Sequence, residues 1–298
     1  ITLDCSEHID DSVRGLQDSE VQEKYAQLPE AMRVQFESLY KGSEQSPEQY
    51  YRMVLTYYQA IEFIDEVYHE VIAKLDREID FEISIDEVAT PTTPQDHFFV
   101  ANELSRRAIR FNSIAPRFCG QFEKGIDYLG DVEQFQQEYA IHVNIARQFG
   151  YKLSIHSGSD KFSVFPIIGE LSNGGFHVKT AGTNWLEAVR VIAKVNPALY
   201  REIHSKALAT LDEARRYYQV SLDLTKIPMI TDIPDEQLSS LLNQDDARQL
   251  LHITYGFILQ DSELKDAVFA TLIENETLYE ESLGTHLKRH LTALGINR

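Results

Sequence analysis

Short apolar runs that alternate with longer amphipathic stretches limit this chain to few architectures. Phe81-Glu-Ile-Ser-Ile, Phe111-Asn-Ser-Ile-Ala, Tyr151-Lys-Leu-Ser-Ile, Gly175-Phe-His-Val-Lys and Tyr218-Gln-Val-Ser-Leu-Asp read as strands, and Ile1-Thr-Leu-Asp as one more. Helical stretches separate them. One runs from Pro94, opened by Thr92-Thr-Pro, to Ile109, and another from Asp131 to Phe149, ended by Gly150. A third covers about Asn184 to Lys194, and a fourth follows Pro197. Strands alternating with helices build parallel βαβ units. No glycine-rich dinucleotide or phosphate loop follows an early strand, which weighs against an open doubly wound sheet. The expected fold class is therefore α/β, a (β/α)8 TIM-type barrel.

A closed barrel has eight strands and six are found here, so the first strands are expected upstream of Ile1. The start in mid-strand, without Met, agrees. A helical insertion is expected over 13–77, with one helix from Val13 to Tyr40 broken at Pro29. The second runs from Pro47 to Leu75, its apolar face set by Val54, Tyr58, Ile61, Val67 and Val71. C-terminal helices are expected over 234–298, and the whole of 1–298 as one N-terminally incomplete barrel domain.

Charge narrows the partners. With 47 acidic against 28 basic residues, the net charge of −19 repels nucleic-acid backbones and anionic membranes. No apolar run reaches bilayer length and no basic, apolar leader opens the chain. Cys5 and Cys119 form neither a metal spacing nor a disulfide framework, so a reducing, cytoplasmic setting is expected. No nucleic-acid or membrane partner is expected, and homo-oligomers are left open. An anionic substrate would need locally placed Lys or Arg.

In a barrel, chemistry sits where strands end. Here they end in Asp4-Cys-Ser-Glu-His, Asp86-Glu87, Pro116-Arg117 followed by Glu123-Lys124, His156-Ser-Gly-Ser-Asp-Lys161, His177-Val-Lys179-Thr180 and Ser221-Leu-Asp223. Imidazole and carboxylate donors suit a divalent metal, and the candidates are Glu123, His156 and His177, with His252 as a fourth. The Gly/Ser turn after His156 lets backbone amides approach a ligand. Of the adjacent pair Asp86 and Glu87, alternation turns one inward as a candidate acid/base and the other aside. Lys179-Thr-Ala-Gly-Thr-Asn opens a helix, and with Arg117, Lys124 and Lys161 it would supply the positive site for an acidic substrate.

Tyr151-Lys-Leu-Ser-Ile-His-Ser-Gly-Ser-Asp-Lys-Phe-Ser and Phe176-His-Val-Lys-Thr-Ala-Gly-Thr-Asn-Trp-Leu-Glu-Ala resemble the tagaturonate/fructuronate epimerase family of hexuronate catabolism. So do Asp86-Glu-Val-Ala-Thr-Pro-Thr-Thr-Pro, Ala115-Pro-Arg-Phe, Phe122-Glu-Lys-Gly-Ile-Asp-Tyr-Leu-Gly-Asp and Arg248-Gln-Leu-Leu-His-Ile-Thr-Tyr-Gly. The resemblance implies a C4-epimerase of ketohexuronates with a divalent cation, for which Zn2+, Mn2+ and Ni2+ all fit. Glu123 and His156 match family metal-ligand positions, with a further ligand expected upstream. An acid of the pair Asp86-Glu87 matches the proton donor, and the proton acceptor is also expected upstream. Two other readings compete: a metal-dependent aldolase of phosphorylated ketoses, and a non-catalytic barrel subunit of such an enzyme.

Overall fold

The computed structural model describes residues 1–40, 46–218 and 220–296. Its elements run in the order β1 (Thr2–Asp4), α1 (Asp18–Ala26), α2 (Glu30–Tyr40), α3 (Pro47–Glu70), β2 (Glu82–Ile85), α4 (Pro94–Arg106) and β3 (Ser113–Pro116). Next come α5 (Val132–Phe149), β4 (Lys152–Ile155), α6 (Phe165–Ser172), β5 (Phe176–Val178), α7 (Ala181–Val195) and α8 (Pro197–Ala214). The chain then closes with α9 (Asp245–Ile253), α10 (Tyr255–Gln260), α11 (Ser262–Glu274) and α12 (Glu276–Ala293).

The strands form one five-stranded sheet in the order β1-β2-β3-β4-β5, so each strand neighbours the next in sequence. The pairings from β1 through β4 are parallel, with Ile83 opposite both Leu3 and Ile114, and Ile114 opposite Leu153. Each crossover is filled by helix, as parallel neighbours require. This is the α/β alternation read from the sequence.

The sixth strand is not formed. Residues 218 and 220–223 carry no strand pairing, and Gln219 lies outside the described residues. The reason is where the segment's polar backbone groups go. Ser221 N–H donates to Glu123 at 2.8 Å and Asp223 N–H to Asp246 at 2.8 Å, while Leu222 C=O accepts from Arg215 at 2.9 Å. Side chains satisfy these groups in place of a ladder. Conversely, α6 follows a signal left unread in the sequence: Pro166 in the first turn, an apolar body, and a left-handed Asn173 at the end (φ 48°).

The chain divides into two compact units. One comprises Ile1–Cys119, Gln134–Ile155 and Gly175–His177, and the other Gly120–Glu133, His156–Gly174 and Val178–Arg298. In the first unit α1, α2 and α3 fall within the expected insertion, with short 3-10 turns at Asp11–Gly15 and Ile72–Lys74, and residues 41–45 lie outside the described residues. Serine 46 caps α3 through a reciprocal pair with Gln49. The buried face of α3 is Tyr50, Val54, Tyr57, Ile61 and Ile64, a 4-3-4-3 spacing. The expected face thus drifted past Ile61: Val71 is exposed and lies beyond the helix end. Tyr50 belongs to the packing and donates its hydroxyl to Phe36 C=O at 2.6 Å.

The second unit has its own apolar core. Leu186, Val189 and Ile192 of α7, Tyr200, Ile203, Ala207 and Leu211 of α8, and Leu250 and Leu251 of α9 interlock, with Ile258 and Val268 closing it. Glycine 169 lets α6 lie against the chain end, because a methyl there would meet Leu294 C=O at 2.2 Å.

Candidate functional site

In the second unit the loop after β4 carries His156. It turns tightly, with Ser157 (φ 50°) and Asp160 (φ 62°) in the left-handed region that side chains rarely adopt. Such backbone persists only where surroundings fix it. Three ties do so here. Gly158 N–H donates to Lys179 C=O at 2.9 Å, Lys124 Nζ donates to Ser157 Oγ at 2.7 Å, and Lys161 Nζ donates to Glu123 C=O at 2.8 Å.

Lysine 161 has no exposed surface, and its ammonium also meets Ile126 C=O at 2.5 Å and Ser159 C=O at 2.9 Å. Burial pushes the amine down to about 7, against the pull of Asp160 and Asp127. Three carbonyls take its three N–H bonds. The clamp expected of Lys161 is therefore a loop pin in this structure, enclosed and fully hydrogen-bonded. Lys124 lies over the Tyr218 ring at 5.8 Å, and Lys179 is half-buried just before α7.

Those ties bring the segment of Glu123 to the loop of His156. Glutamate 123 presents its carboxylate in a fixed attitude, with Oε2 accepting from Ser221 N at 2.8 Å, Ser221 Oγ at 2.8 Å and Gln249 Nε2 at 2.6 Å. Its Oε1 takes no hydrogen bond among the described residues. A half-buried imidazole and a carboxylate oxygen of this kind are the donor types that hold Zn2+ or Mn2+. The donor set fits a divalent cation.

Behind this loop Asp160 is buried and bound twice. Arg248 Nη2 donates to Oδ2 at 2.5 Å and His286 Nε2 to Oδ1 at 2.5 Å, while Asp160 N–H donates to His290 Nε2 at 3.0 Å. Burial alone would raise this carboxyl, but the His286 hydrogen bond and the Arg248 charge outweigh it and hold it at about 2. Asp160, His286 and His290 place one donor atom each within 4.8 Å of one another. These atoms already serve the backbone amide and each other, with Arg248 supplying the positive charge, so the cluster is a latch between the loop and α12. His252, the fourth metal candidate, is wedged against Gly125 and Gly182, and a methyl on Gly182 would meet its Cε1 at 2.0 Å. Its Nδ1 has no hydrogen-bond partner among the described residues. Burial, then the charges of Lys124, Lys161 and Arg248, push it down to about 3 and keep it neutral.

The first unit holds the remaining candidates. A polar row crosses the sheet, centred on buried Glu82: Thr2 Oγ1 donates to Oε1 at 3.0 Å and Ser113 Oγ to Oε2 at 2.8 Å. His177 Nδ1 joins it, 2.7 Å from Glu82 Oε2 and 3.2 Å from Ser154 Oγ. Histidine 177 thus turns toward its sheet neighbours and not toward the helices. Ser84 Oγ donates to Asp86 Oδ1 at 2.6 Å, which puts Asp86 on the face of Ser84 and Glu82, opposite Ile83 and Ile85. Glutamate 87 is exposed. Arg117 is spent on the loop after β2: its guanidinium donates to Val88 C=O and its N–H to Thr92 Oγ1 at 3.0 Å.

The profile of the tagaturonate epimerase family matches residues 1–294. The chain belongs to that family. A curated relative, the tagaturonate/fructuronate epimerase of Thermotoga maritima, is 43% identical over 303 residues, which cover 98% of this chain and 62% of the relative. The crystal structure of the fructuronate-tagaturonate epimerase of Cohnella laeviribosi in complex with one glycerol superposes with a TM-score of 0.94 at 50% identity, over 99% of this chain and 63% of that one. The native structure of the same protein gives 0.95 at 49% identity, over 99% and 63%. The chain spans less than two thirds of the length of these relatives.

Glu82, His286 and His290 have no functional place in the sequence reading, while Ser221 enters it only as a strand end and Arg248 and Gln249 only within a family motif. His286 and His290 left a local signal, the one-turn spacing of His286-Leu-Lys-Arg-His290 on a helix.

Proposed function

We propose that this chain forms the larger part of a metal-dependent (β/α)8 epimerase that interconverts tagaturonate and fructuronate at C4. The observation that carries the reading is the family match over 1–294, with a superposition that covers 99% of the chain. Five strands in sequential order agree with a barrel segment.

The chemistry fits the residues. C4 of a 2-ketouronate is not adjacent to the carbonyl, so enolisation cannot invert it. Cleavage of C3–C4 can: the C4 hydroxyl loses its proton, C4 becomes an aldehyde, and the electron pair passes to C3 and the C2 carbonyl. Rotation of the aldehyde and re-formation of the bond give the epimer. A divalent cation, when bound, supplies Lewis-acid polarisation of that carbonyl. Glu123 and His156 would hold it, and Glu123 is pre-set for this by the donors on its Oε2. The C4 hydroxyl proton falls to the pair Asp86 and Glu87, with Asp86 on the face of the polar row. Of the expected carboxylate clamp, Lys124 and Lys179 stay assigned to the substrate.

The test is NMR of tagaturonate incubated with full-length protein in D2O, before and after chelation and with Mn2+, Zn2+ or Ni2+ restored. Fructuronate that keeps its C4 hydrogen is expected, since the aldehyde carries that hydrogen through the bond cleavage. Deuterium at C4, or full activity of His156→Ala, would overturn the assignment. Triose products would favour the aldolase reading.

A further inference from the structure

We propose that Ser221 and Gln249 are positioning residues that make Glu123 a one-oxygen ligand, presenting Oε1 alone to the cation. This rests on the reading of Glu123 as a metal ligand. A carboxylate oxygen offers about two lone-pair sites. Three donors converge on Oε2, and two of them come from one residue, Ser221, through its backbone N–H and its hydroxyl. The third comes from Gln249 of α9, which is 1% exposed.

The frame behind these donors is itself held. Arg248, next to Gln249, donates to Gly125 C=O at 2.7 Å and to Leu242 C=O at 2.9 Å, so α9 grips the 123–126 segment through two successive residues. Lys161 fixes the Glu123 carbonyl from the other side. The carboxylate therefore has little torsional freedom, and two-oxygen coordination would cost its bonds to Ser221 and Gln249. Groups that orient a metal ligand in this way typically change metal affinity by about 10–100-fold when removed.

The segment around Ser221 gains a purpose from this. It reads as a strand by pattern, yet its backbone is turned over to Glu123 and Asp246. Two residues remote in sequence meet one oxygen of a half-buried acid. Holding a loop would not require three donors on the same atom.

Full-length protein is titrated with Mn2+ by calorimetry, and the visible spectrum of the Co2+ form is recorded. Gln249→Met, close in volume, is expected to weaken Mn2+ binding about 10–100-fold and to shift the Co2+ bands. Ser221→Ala keeps the backbone donor, so a smaller loss, below about tenfold, is expected, and Ser221→Thr should restore it. Unfolding midpoints followed by Trp185 fluorescence separate these effects from misfolding, and Ser221→Ala stands as the test if Gln249→Met does not fold. If both variants bind Mn2+ within twofold of the parent while Glu123→Ala loses it, the positioning role falls and Glu123 remains a ligand. If Glu123→Ala binds Mn2+ unchanged, the underlying reading falls.

Discussion

Asp160→Asn isolates the latch behind the His156 loop. The side chain keeps its shape and loses its charge, leaving the Arg248 guanidinium, 8% exposed, without a counter-charge. A carboxyl held at about 2 against an ordinary 3.8 carries about 2 kcal/mol of stability at neutral pH. Stranding a buried partner charge costs about 3–5 kcal/mol, but Arg248 retains two carbonyl acceptors, which softens the loss. A destabilisation of about 2–4 kcal/mol is therefore expected. The sign with pH follows from a depressed carboxyl. Its contribution is fully present above pH 3.8 and fades as pH falls toward 2, so the gap between parent and variant should narrow as pH falls from about 4 toward 2. Trp185, the single tryptophan, lies in the same unit and donates to Leu251 C=O at 2.8 Å, so its fluorescence during urea unfolding reads this unit directly. An Arg248→Met background should remove most of the effect. A loss under about 0.5 kcal/mol, unchanged from pH 7 to pH 3, would refute the latch.

Three other outcomes are expected. Lys161→Met strands three buried carbonyls and should cost roughly 3 kcal/mol or more in the same urea assay; a cost below about 1 kcal/mol would deny the pin. Gly182→Ala should lose about 1–3 kcal/mol because its methyl meets the His252 ring, and His252→Ala should relieve that clash in a double-mutant cycle. His142, in contact with His97 at 2.9 Å, is pushed down to about 4 by burial, so the native state refuses a proton that the unfolded chain accepts at 6.5. His142 should then contribute up to about 3 kcal/mol to a loss of stability as pH drops from 6.5 to 4, and His142→Gln should make that slope shallower in calorimetric scans.

The sheet was legible because its signals are local. Ile83 and Ile85 alternate with Glu82 and Ser84 within a few residues, and the helix after Thr93 carries its own cap. The tight turn after His156 was legible as a Gly/Ser run for the same reason, though not its left-handed residues Ser157 and Asp160. The face of α3 was placed correctly at Val54 and Ile61 and lost beyond them, since a few degrees of drift per turn rotates a long helix out of register. Segment 218–223 was misread as a strand. Its alternation is real, and nothing within six residues reveals that its amides are spoken for elsewhere.

That last failure has the same cause as the missed partners of Glu123. Ser221 and Gln249 lie 98 and 126 residues from the carboxylate they hold, and serine and glutamine are among the least distinctive donors a chain can offer. A ligand residue announces itself by chemistry, because few side chains bind a cation. The groups that orient it need only one N–H or O–H at the right place, which almost any polar residue on a rigid element can provide. Sequence therefore gives up the carboxylate and imidazole readily and conceals the donors that aim them. At Glu123 the concealed part decides the geometry: with Oε2 saturated, the attitude of the carboxylate is set by α9 and the 221 segment.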